Sequence, residues 1–287
     1  KAKRRRVIAA FTAAVLLLVP AQYLGFQDAD FRLLPGNNLS GDVNDDAWMS
    51  YASTVYDVCA HPVTQERGET DGSMHYCLST DETKPPEIAI IGDSHAAHFF
   101  VGLAEMFPES TVAFVGIRPE EYLDRKSLET YTEFLSSNGN HATLIFSYRW
   151  EGYERVPDFS PLVQELETKE PVRVAVFTGL PTFPMDPSHC KNGYGVFSLQ
   201  PECVFVISTE RQQAQDDVVS SFQQLDRLLP RQIEIVDSYS VICHREECDM
   251  SANGSVLFAD HHHLNLSGSR YVVRNVFQQL NQLVAQR

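Results

Sequence analysis

The chain runs IAIIGDSHAAH from Ile88 to His98, and this stretch decides the fold. Its first four residues form an apolar run that is typical of a buried β-strand, and Gly92 permits a sharp turn out of that strand. The turn leaves Ser94 at the start of a helix, where unpaired backbone N–H groups and the positive end of the helix dipole stabilise negative charge. Ser94 is therefore a candidate nucleophile. Serine is also a favoured helix N-cap, so a purely structural role is the alternative.

Beyond this stretch, short apolar runs alternate with amphipathic stretches, a pattern typical of β-α repeats around a parallel sheet. The predicted strands are Ile88–Ile91, Thr111–Val115, Ala142–Ser147, Val172–Thr178 and Ile233–Val236. The predicted helices are Ala96–Met106, Glu120–Ser136, Leu162–Lys169, Thr209–Leu229 and Ser267–Ala285. The sequence thus predicts an α/β fold, a three-layer α/β/α sandwich with a five-stranded parallel sheet. Ligands of such sheets bind beyond the carboxyl ends of the strands.

A second chemical motif, DHHHL, covers residues 260–264 just before the last predicted helix. A nucleophilic serine needs a base within hydrogen-bond reach, and the base needs a carboxylate to fix its tautomer. The spacing of Asp260 and His263 in a turn lets the carboxylate meet one imidazole nitrogen while the other points at Ser94. The sequence therefore predicts a triad of Ser94, His263 and Asp260, although a lone histidine is more often a plain surface residue.

The charge of the chain excludes some partners. It contains 38 acidic and 23 basic residues, and five of the basic residues lie within residues 1–6. Such an acidic chain is a poor surface for nucleic acid and repels strongly anionic polymers. A neutral or weakly charged substrate, such as a saccharide or its acyl ester, fits better.

The N-terminal residues predict a membrane anchor. The basic cluster precedes Val7–Phe26, twenty residues without a charge, which is the length of a membrane-spanning helix. Basic clusters stay on the cytoplasmic side, so the rest of the chain emerges on the other face. A signal peptide is the alternative, but no clear small-x-small cleavage site follows. We divide the chain into the basic flank and transmembrane helix (1–26), a linker or extension (27–86) and a catalytic domain (87–287).

The six cysteines agree with export, because disulfides persist in oxidising compartments. We predict pairing between sequence neighbours, although fifteen pairings are formally possible. The predicted pairs are Cys59–Cys77, Cys190–Cys203 and Cys243–Cys248. No Cys-x-x-Cys spacing indicates a zinc site.

These motifs resemble a known family. Gly92-Asp93-Ser94 and Asp260-x-x-His263 resemble blocks I and V of the SGNH, or GDSL-like, esterase and acetyltransferase superfamily. More particularly, GDSH at 92–95, IFSYRW at 145–150 and the His263-Leu264 pair followed by Gly268 resemble periplasmic SGNH domains fused to acyltransferase-3 membrane proteins. Those proteins O-acetylate lipopolysaccharide O-antigen and other surface glycans. The resemblance implies a flavodoxin-like SGNH hydrolase fold after one membrane helix.

The resemblance also implies a reaction. Ser94 would take an acetyl group handed across the inner membrane by an acyltransferase-3 membrane domain, with acetyl-CoA as the upstream source and no cofactor in the SGNH domain itself. His263, oriented by Asp260, would then activate a hydroxyl of a glycan acceptor in the periplasm. Hydrolysis of the acetyl ester by the same site is the close alternative.

The oxyanion hole departs from the superfamily pattern. The backbone N–H of Ser94 would supply one donor, and Gly116 after the second predicted strand is a candidate for another. No Gly-x-Asn follows the third predicted strand, where Arg149 and Trp150 stand instead. They are candidates for a donor and a sugar-stacking face. The alternative is that Arg149 pairs with an acidic neighbour and Trp150 belongs to the core.

Two hypotheses from other classes stay open. The histidines at 95, 98 and 261–263, with Asp93 and Asp260, resemble a metal cluster, and metal-dependent phosphoesterases also begin with Gly-Asp-x-His. The downstream Gly-Asn-His signature of those enzymes is absent from the sequence. A non-catalytic glycan-binding domain is the other hypothesis, and the intact triad argues against it.

Overall fold

The structure is a computed structural model that describes residues 51–58, 77–116, 143–150, 173–188, 190, 203–228, 233–245 and 247–285. The predicted helices Glu120–Ser136 and Leu162–Lys169 lie outside these residues, as does the predicted membrane helix Val7–Phe26. In the part that is described, no helix combines the length and the apolar character needed to cross a bilayer.

Twelve strands and three long helices organise the described residues. The strands are β1 Asp57–Val58, β2 Cys77–Ser79, β3 Ile88–Gly92, β4 Val112–Gly116, β5 Thr143–Ser147, β6 Arg173–Phe177, β7 Val204–Val206, β8 Ile233–Val236, β9 Cys243–His244, β10 Glu247–Asp249, β11 Ser251–Ala252 and β12 Ser255–Val256. The helices are α1 Ser94–Met106, α2 Thr209–Leu228 and α3 Leu266–Ala285, and a short helix covers Tyr239–Ile242.

A mostly parallel sheet forms the centre of an α/β fold. Its parallel part has the order β4-β3-β5-β6-β8, and these are the five predicted strands, displaced by no more than one residue at either end. Strands β3, β4 and β5 are buried along their whole length. Continuous burial is typical of parallel strands that are covered on both faces, which explains why they appear in the sequence as unbroken apolar runs.

The sheet has seven strands rather than the predicted five. Strand β2 pairs antiparallel with β4, and β1 pairs antiparallel with β2 at the edge. Both come from the segment that the sequence assigns to a linker. They were missed because strands of two and three residues are too short to show an alternating pattern.

Helices α1 and α3 pack closely against each other. The backbone N–H of Gly102 in α1 donates to Ser269 Oγ in α3 over 2.9 Å. A Cβ atom at Gly102 would lie 2.6 Å from the backbone oxygen of Ser269, so a larger residue would separate the helices. This contact fixes α3 on the nucleophile helix and brings the turn before α3 to the beginning of α1.

Disulfides stabilise the region that follows β6. Cys190 bonds to Cys203, and Cys243 in β9 bonds to its register partner Cys248 in β10. Two of the three predicted pairs are thus confirmed. Cys77 is also disulfide-bonded, and its predicted partner Cys59 lies outside the described residues. Each short closed loop can contribute up to about 3 kcal/mol to stability.

Candidate active site

Ser94 is the first residue of α1 and follows β3 directly, as the sequence predicts. The N-cap is Asp93, whose Oδ1 accepts a hydrogen bond from the backbone N–H of His95 over 2.8 Å. A Cβ atom at position 92 would lie only 1.8 Å from the carbonyl oxygen of Ser147, so only glycine fits between β3 and β5. Capping is therefore assigned to Asp93, and the Ser94 hydroxyl is left available for other chemistry.

The turn before α3 places Asp260 and His263 against Ser94. Asp260 Oδ1 accepts backbone N–H groups from His262 and His263 over 2.7 and 2.6 Å. Its Oδ2 lies 2.7 Å from His263 Nδ1, and His263 Nε2 lies 2.7 Å from Ser94 Oγ. The structure thus brings the three residues into one hydrogen-bonded line, although Ser94 and His263 are 169 positions apart.

The electrostatics of the turn fix the tautomer of His263. Partial burial by itself raises the pKa of Asp260, but the hydrogen bonds from the His263 side chain and from the two backbone N–H groups outweigh it. The pKa of Asp260 therefore lies below its usual value, and the carboxylate is ionised at neutral pH. An ionised carboxylate holds the His263 proton on Nδ1, so Nε2 is ready to accept the Ser94 proton.

Solvent and small molecules can reach this line, because the side chains of His263 and Asp260 are each 19% exposed. The arrangement can remove a proton from a hydroxyl at a helix N-terminus. That is the chemistry of a serine nucleophile.

The predicted oxyanion and binding residues lie at the ends of the two strands that flank β3, and their environments differ. They are Gly116, Arg149 and Trp150. Gly116 is the last residue of β4 and the register partner of Gly92, so it belongs to the sheet edge from which Ser94 emerges. Arg149 follows β5, the other neighbour of β3, and its backbone N–H donates to Asp93 Oδ2 over 3.1 Å. Burial raises the pKa of Asp93, whose two oxygens hold α1 and the residues after β5 together.

Trp150 belongs to the core, which corrects the prediction of a sugar-stacking face. Its side chain is 3% exposed, and its indole N–H donates to the carbonyl oxygen of Phe177 over 2.7 Å. The ring packs against Tyr148 and Phe222 with centroid distances of 5.0 and 4.9 Å. A ring enclosed in this way offers no face to a ligand.

His262 is not among the predicted site residues, yet its two ring nitrogens contact two other side chains. Nδ1 lies 3.1 Å from His95 Nε2, and Nε2 lies 3.3 Å from Arg149 Nη1. Three consecutive histidines gave no signal as to which of them faces the site.

The metal cluster of the alternative hypothesis is only partly assembled. One ring nitrogen from each of His95, His262 and His263 lies within 4.8 Å of the others. His98 is not in this group, and its Nδ1 accepts the backbone N–H of Leu264 over 3.2 Å. Both nitrogens of His263 are engaged by the triad, so a metal held by all three rings would displace Ser94 or Asp260.

The parallel sheet, the serine that follows its central strand and the Asp-x-x-His turn before the last helix define an α/β domain of SGNH-like fold. The chain belongs to the family described as "SGNH domain (fused to AT3 domains)", whose model matches residues 59–278. The resemblance stated from the motifs is thereby confirmed.

Two solved structures are similar to part of this chain at low sequence identity. One is the periplasmic domain of a lipopolysaccharide acetyltransferase from Salmonella ser. Paratyphi A, with 14% identity, a TM-score of 0.47, and coverage of 67% of this chain and 82% of that one. Another is the lipase Lip_vut3 from a goat rumen metagenome, with 14% identity, a TM-score of 0.34, and coverage of 67% and 96%. No curated protein matches the chain.

Proposed function

We propose that this domain is an O-acetyltransferase that moves an acetyl group through an acyl-enzyme on Ser94 to a hydroxyl of a cell-surface glycan, such as lipopolysaccharide O-antigen. The observation that carries the proposal is the line from Ser94 Oγ through His263 to Asp260, with 2.7 Å at each step. Membership of a family of SGNH domains fused to AT3 domains supports acyl transfer as the reaction class.

The chemistry proceeds in two halves. In the first, His263 Nε2 takes the hydroxyl proton while Ser94 Oγ attacks the acetyl carbonyl, and the proton then passes to the leaving group. In the second, His263 takes the proton of a sugar hydroxyl, whose oxygen attacks the acyl-enzyme, and the proton returns to Ser94 Oγ. Asp260 stays ionised and stabilises the imidazolium in both halves.

The negative charge that develops on the carbonyl oxygen needs donors. The backbone N–H of Ser94 is one, because the first N–H groups of α1 have no partner within the helix. Gly116 and Arg149 are the proposed further donors, since they occupy the ends of the strands on either side of β3. Trp150 is left out of the proposed set because it is buried.

The proposal places the domain in the periplasm, anchored to the inner membrane by Val7–Phe26. The disulfides support an oxidising compartment. The acetyl donor is an AT3-type membrane domain supplied from acetyl-CoA, and the SGNH domain needs no cofactor of its own for this reaction. The acidic composition favours an uncharged sugar acceptor.

Hydrolysis is the second candidate, favoured by the partial exposure of His263. Water that reaches His263 Nε2 can attack the same acyl-enzyme. Transfer therefore requires that a bound sugar hydroxyl outcompete water, and an acceptor-dependent increase in the rate of acyl-enzyme breakdown distinguishes the two activities.

The test uses the 287-residue chain with 4-nitrophenyl acetate, a serine-directed fluorophosphonate and a metal chelator. We expect turnover that is insensitive to the chelator, and fluorophosphonate labelling of Ser94 that stops the reaction. Ser94→Ala should lower kcat by about 10⁴-fold or more, whereas Ser220→Ala on the exposed face of α2 should not change it. Chelator-sensitive turnover with Ser94 unlabelled would instead favour the metal-dependent phosphoesterase hypothesis.

A further inference from the structure

In the part of the chain that the structure describes, the guanidinium of Arg149 lies beside His262 and forms no ion pair with a carboxylate. Among the described residues, the one side-chain contact of Arg149 is to His262, and its Nε is buried with no hydrogen-bond partner there. A buried N–H that meets no acceptor is destabilising. The guanidinium is therefore not accounted for by contacts within the described residues alone.

The position of Arg149 is fixed at two points. Its backbone N–H donates to Asp93, the residue before the nucleophile. Its Nη1 contacts His262, the residue before the base. Arg149 thus contacts the residue before Ser94 and the residue before His263, so it joins the two segments that carry the triad.

The chemistry of the groups sets the direction of the hydrogen bonds. Arginine has only donors, so His262 Nε2 must accept from Arg149 Nη1. The proton of neutral His262 is then on Nδ1, which donates to His95 Nε2 over 3.1 Å. This chain from Arg149 through His262 to His95 exists only while His262 is neutral.

The surroundings of both rings favour the neutral form. His95 is fully enclosed, and its burial, followed by the neighbouring histidines, lowers its pKa well below the usual value. Burial is also the largest cause that lowers the pKa of His262, to about 4, and His263, Arg149 and His261 act in the same direction while Asp260 opposes them. At neutral pH, His262 is an acceptor for the guanidinium and not a competing cation.

We propose that His262 is a positioning residue that holds Arg149 as an oxyanion donor at the Ser94 carbonyl site. The inference rests on the acyl-enzyme proposed above and names the group that replaces the asparagine of the superfamily. Among the described residues, the second Nη of the guanidinium makes no hydrogen bond, and it is the donor that we assign to the developing oxyanion. An arginine bound in this way contributes charge as well as a hydrogen bond, which strengthens the interaction with an anion.

The kinetic test compares substitutions at His262 with the same substitutions at His261, the exposed neighbour in the turn. We expect His262→Leu to lower kcat for 4-nitrophenyl acetate by about 10-fold or more with KM unchanged. Complete loss of one oxyanion donor lowers kcat by about 10²- to 10³-fold, and a donor that is only misplaced should cost part of this. His262→Gln should keep most of the activity, because its amide can accept from Arg149 and donate to His95. His261→Leu should match the wild type.

Chemical rescue tests Arg149 itself. Arg149→Ala should lower kcat by about 10²-fold, and millimolar guanidinium ion should restore part of it, whereas the same ion should not restore Ser94→Ala. A rise in KM with kcat unchanged would show that Arg149 binds a group of the substrate and would overturn the proposal. A His262→Leu variant that behaves like His261→Leu would also overturn it.

NMR spectroscopy reads the tautomer of His262 in the wild-type chain, so it tests the inference even if the leucine variant fails to fold. In the wild-type chain with ¹⁵N-labelled histidine, His262 should give the Nδ1–H tautomer at neutral pH, and the Nε2–H tautomer would contradict the chain. If the acyl-enzyme proposal itself is wrong, the fluorophosphonate will not label Ser94 in the wild-type chain. Labelled Ser94 with an unaffected His262→Leu variant rejects only the positioning role.

Discussion

The backbone segments that supply the triad and the guanidinium of Arg149 lie at the same site, but they are held by different kinds of interaction. Carboxylates fix the triad segments through backbone N–H groups: Asp93 caps α1, and Asp260 accepts two N–H groups of its own turn. After β5, the guanidinium of Arg149 depends on the side chain of His262. The first arrangement is set by the local chain, and the second by a contact between distant side chains.

This difference indicates which part of the site tolerates change. A carboxylate that both organises a backbone turn and orients the base cannot be replaced without losing one of these two roles, whereas a donor supplied by a side chain can be exchanged for another. The sequence has no Gly-x-Asn after β5, whereas it has the Ser, Asp and His residues of the resemblance. The predictions below test whether the triad segments and the segment after β5 respond as differently as their contacts suggest.

The largest effect is expected at Asp260. Asp260→Asn should lower kcat by about 10⁴-fold, because an amide cannot both accept two N–H groups on one oxygen and hold the His263 proton on Nδ1. KM and the melting temperature should change far less. Steady-state kinetics with 4-nitrophenyl acetate and a thermal melt check this, with Asp216→Asn in α2 as the exposed control. A loss below 10-fold would remove Asp260 from the triad.

A smaller effect on activity, with a larger one on stability, is expected at Trp150. Trp150→Phe removes the hydrogen bond to Phe177 and leaves a buried carbonyl without its donor, which should lower the free energy of unfolding by about 1 to 3 kcal/mol. Activity should fall only a few-fold. Urea denaturation and kinetics at saturating substrate separate the two. A collapse of kcat with unchanged stability would restore Trp150 as a ligand-contacting residue.

The smallest effect is expected in the pH dependence of stability. The folded-state pKa of His262 is depressed to about 4, so the unfolded chain binds more protons between this value and the usual 6.5. The free energy of unfolding should therefore fall as pH falls through that window, with His95 and His98 contributing in the same direction. His262→Gln should flatten the fall relative to His261→Gln. Equal slopes for the two variants would show that His262 is not enclosed as described.

The sequence alone predicts the elements that have a long apolar run and the site residues that belong to a short local motif. Each of the five parallel strands was found because burial on both faces produces an unbroken apolar run. The positions of Ser94, Asp260 and His263 could be inferred because a tight turn and a three-residue spacing determine where the side chains point. The helix predicted for residues 209–229 ends at Leu228 in the structure, within one residue.

The remaining features depend on contacts that no local pattern encodes. Strand β2 forms by pairing with the edge strand β4, and β1 forms by pairing with β2. Both strands are too short to show an alternation of apolar and polar residues. The sequence around Trp150 does not show whether its ring faces a ligand or the core. The packing of the ring against Phe222 shows that it belongs to the core. The importance of His262 over His261 arises from the positions of His95 and Arg149, which lie far away along the chain.

The contact between α1 and α3 can form only after almost the whole chain has been synthesised. Ser94 is synthesised long before His263, and the hydrogen bond between them spans 169 positions. A growing chain therefore exposes its nucleophile without a base until the last helix has docked through Gly102 and Ser269. In the proposed mechanism, acyl transfer can therefore begin only after α3 has docked onto α1.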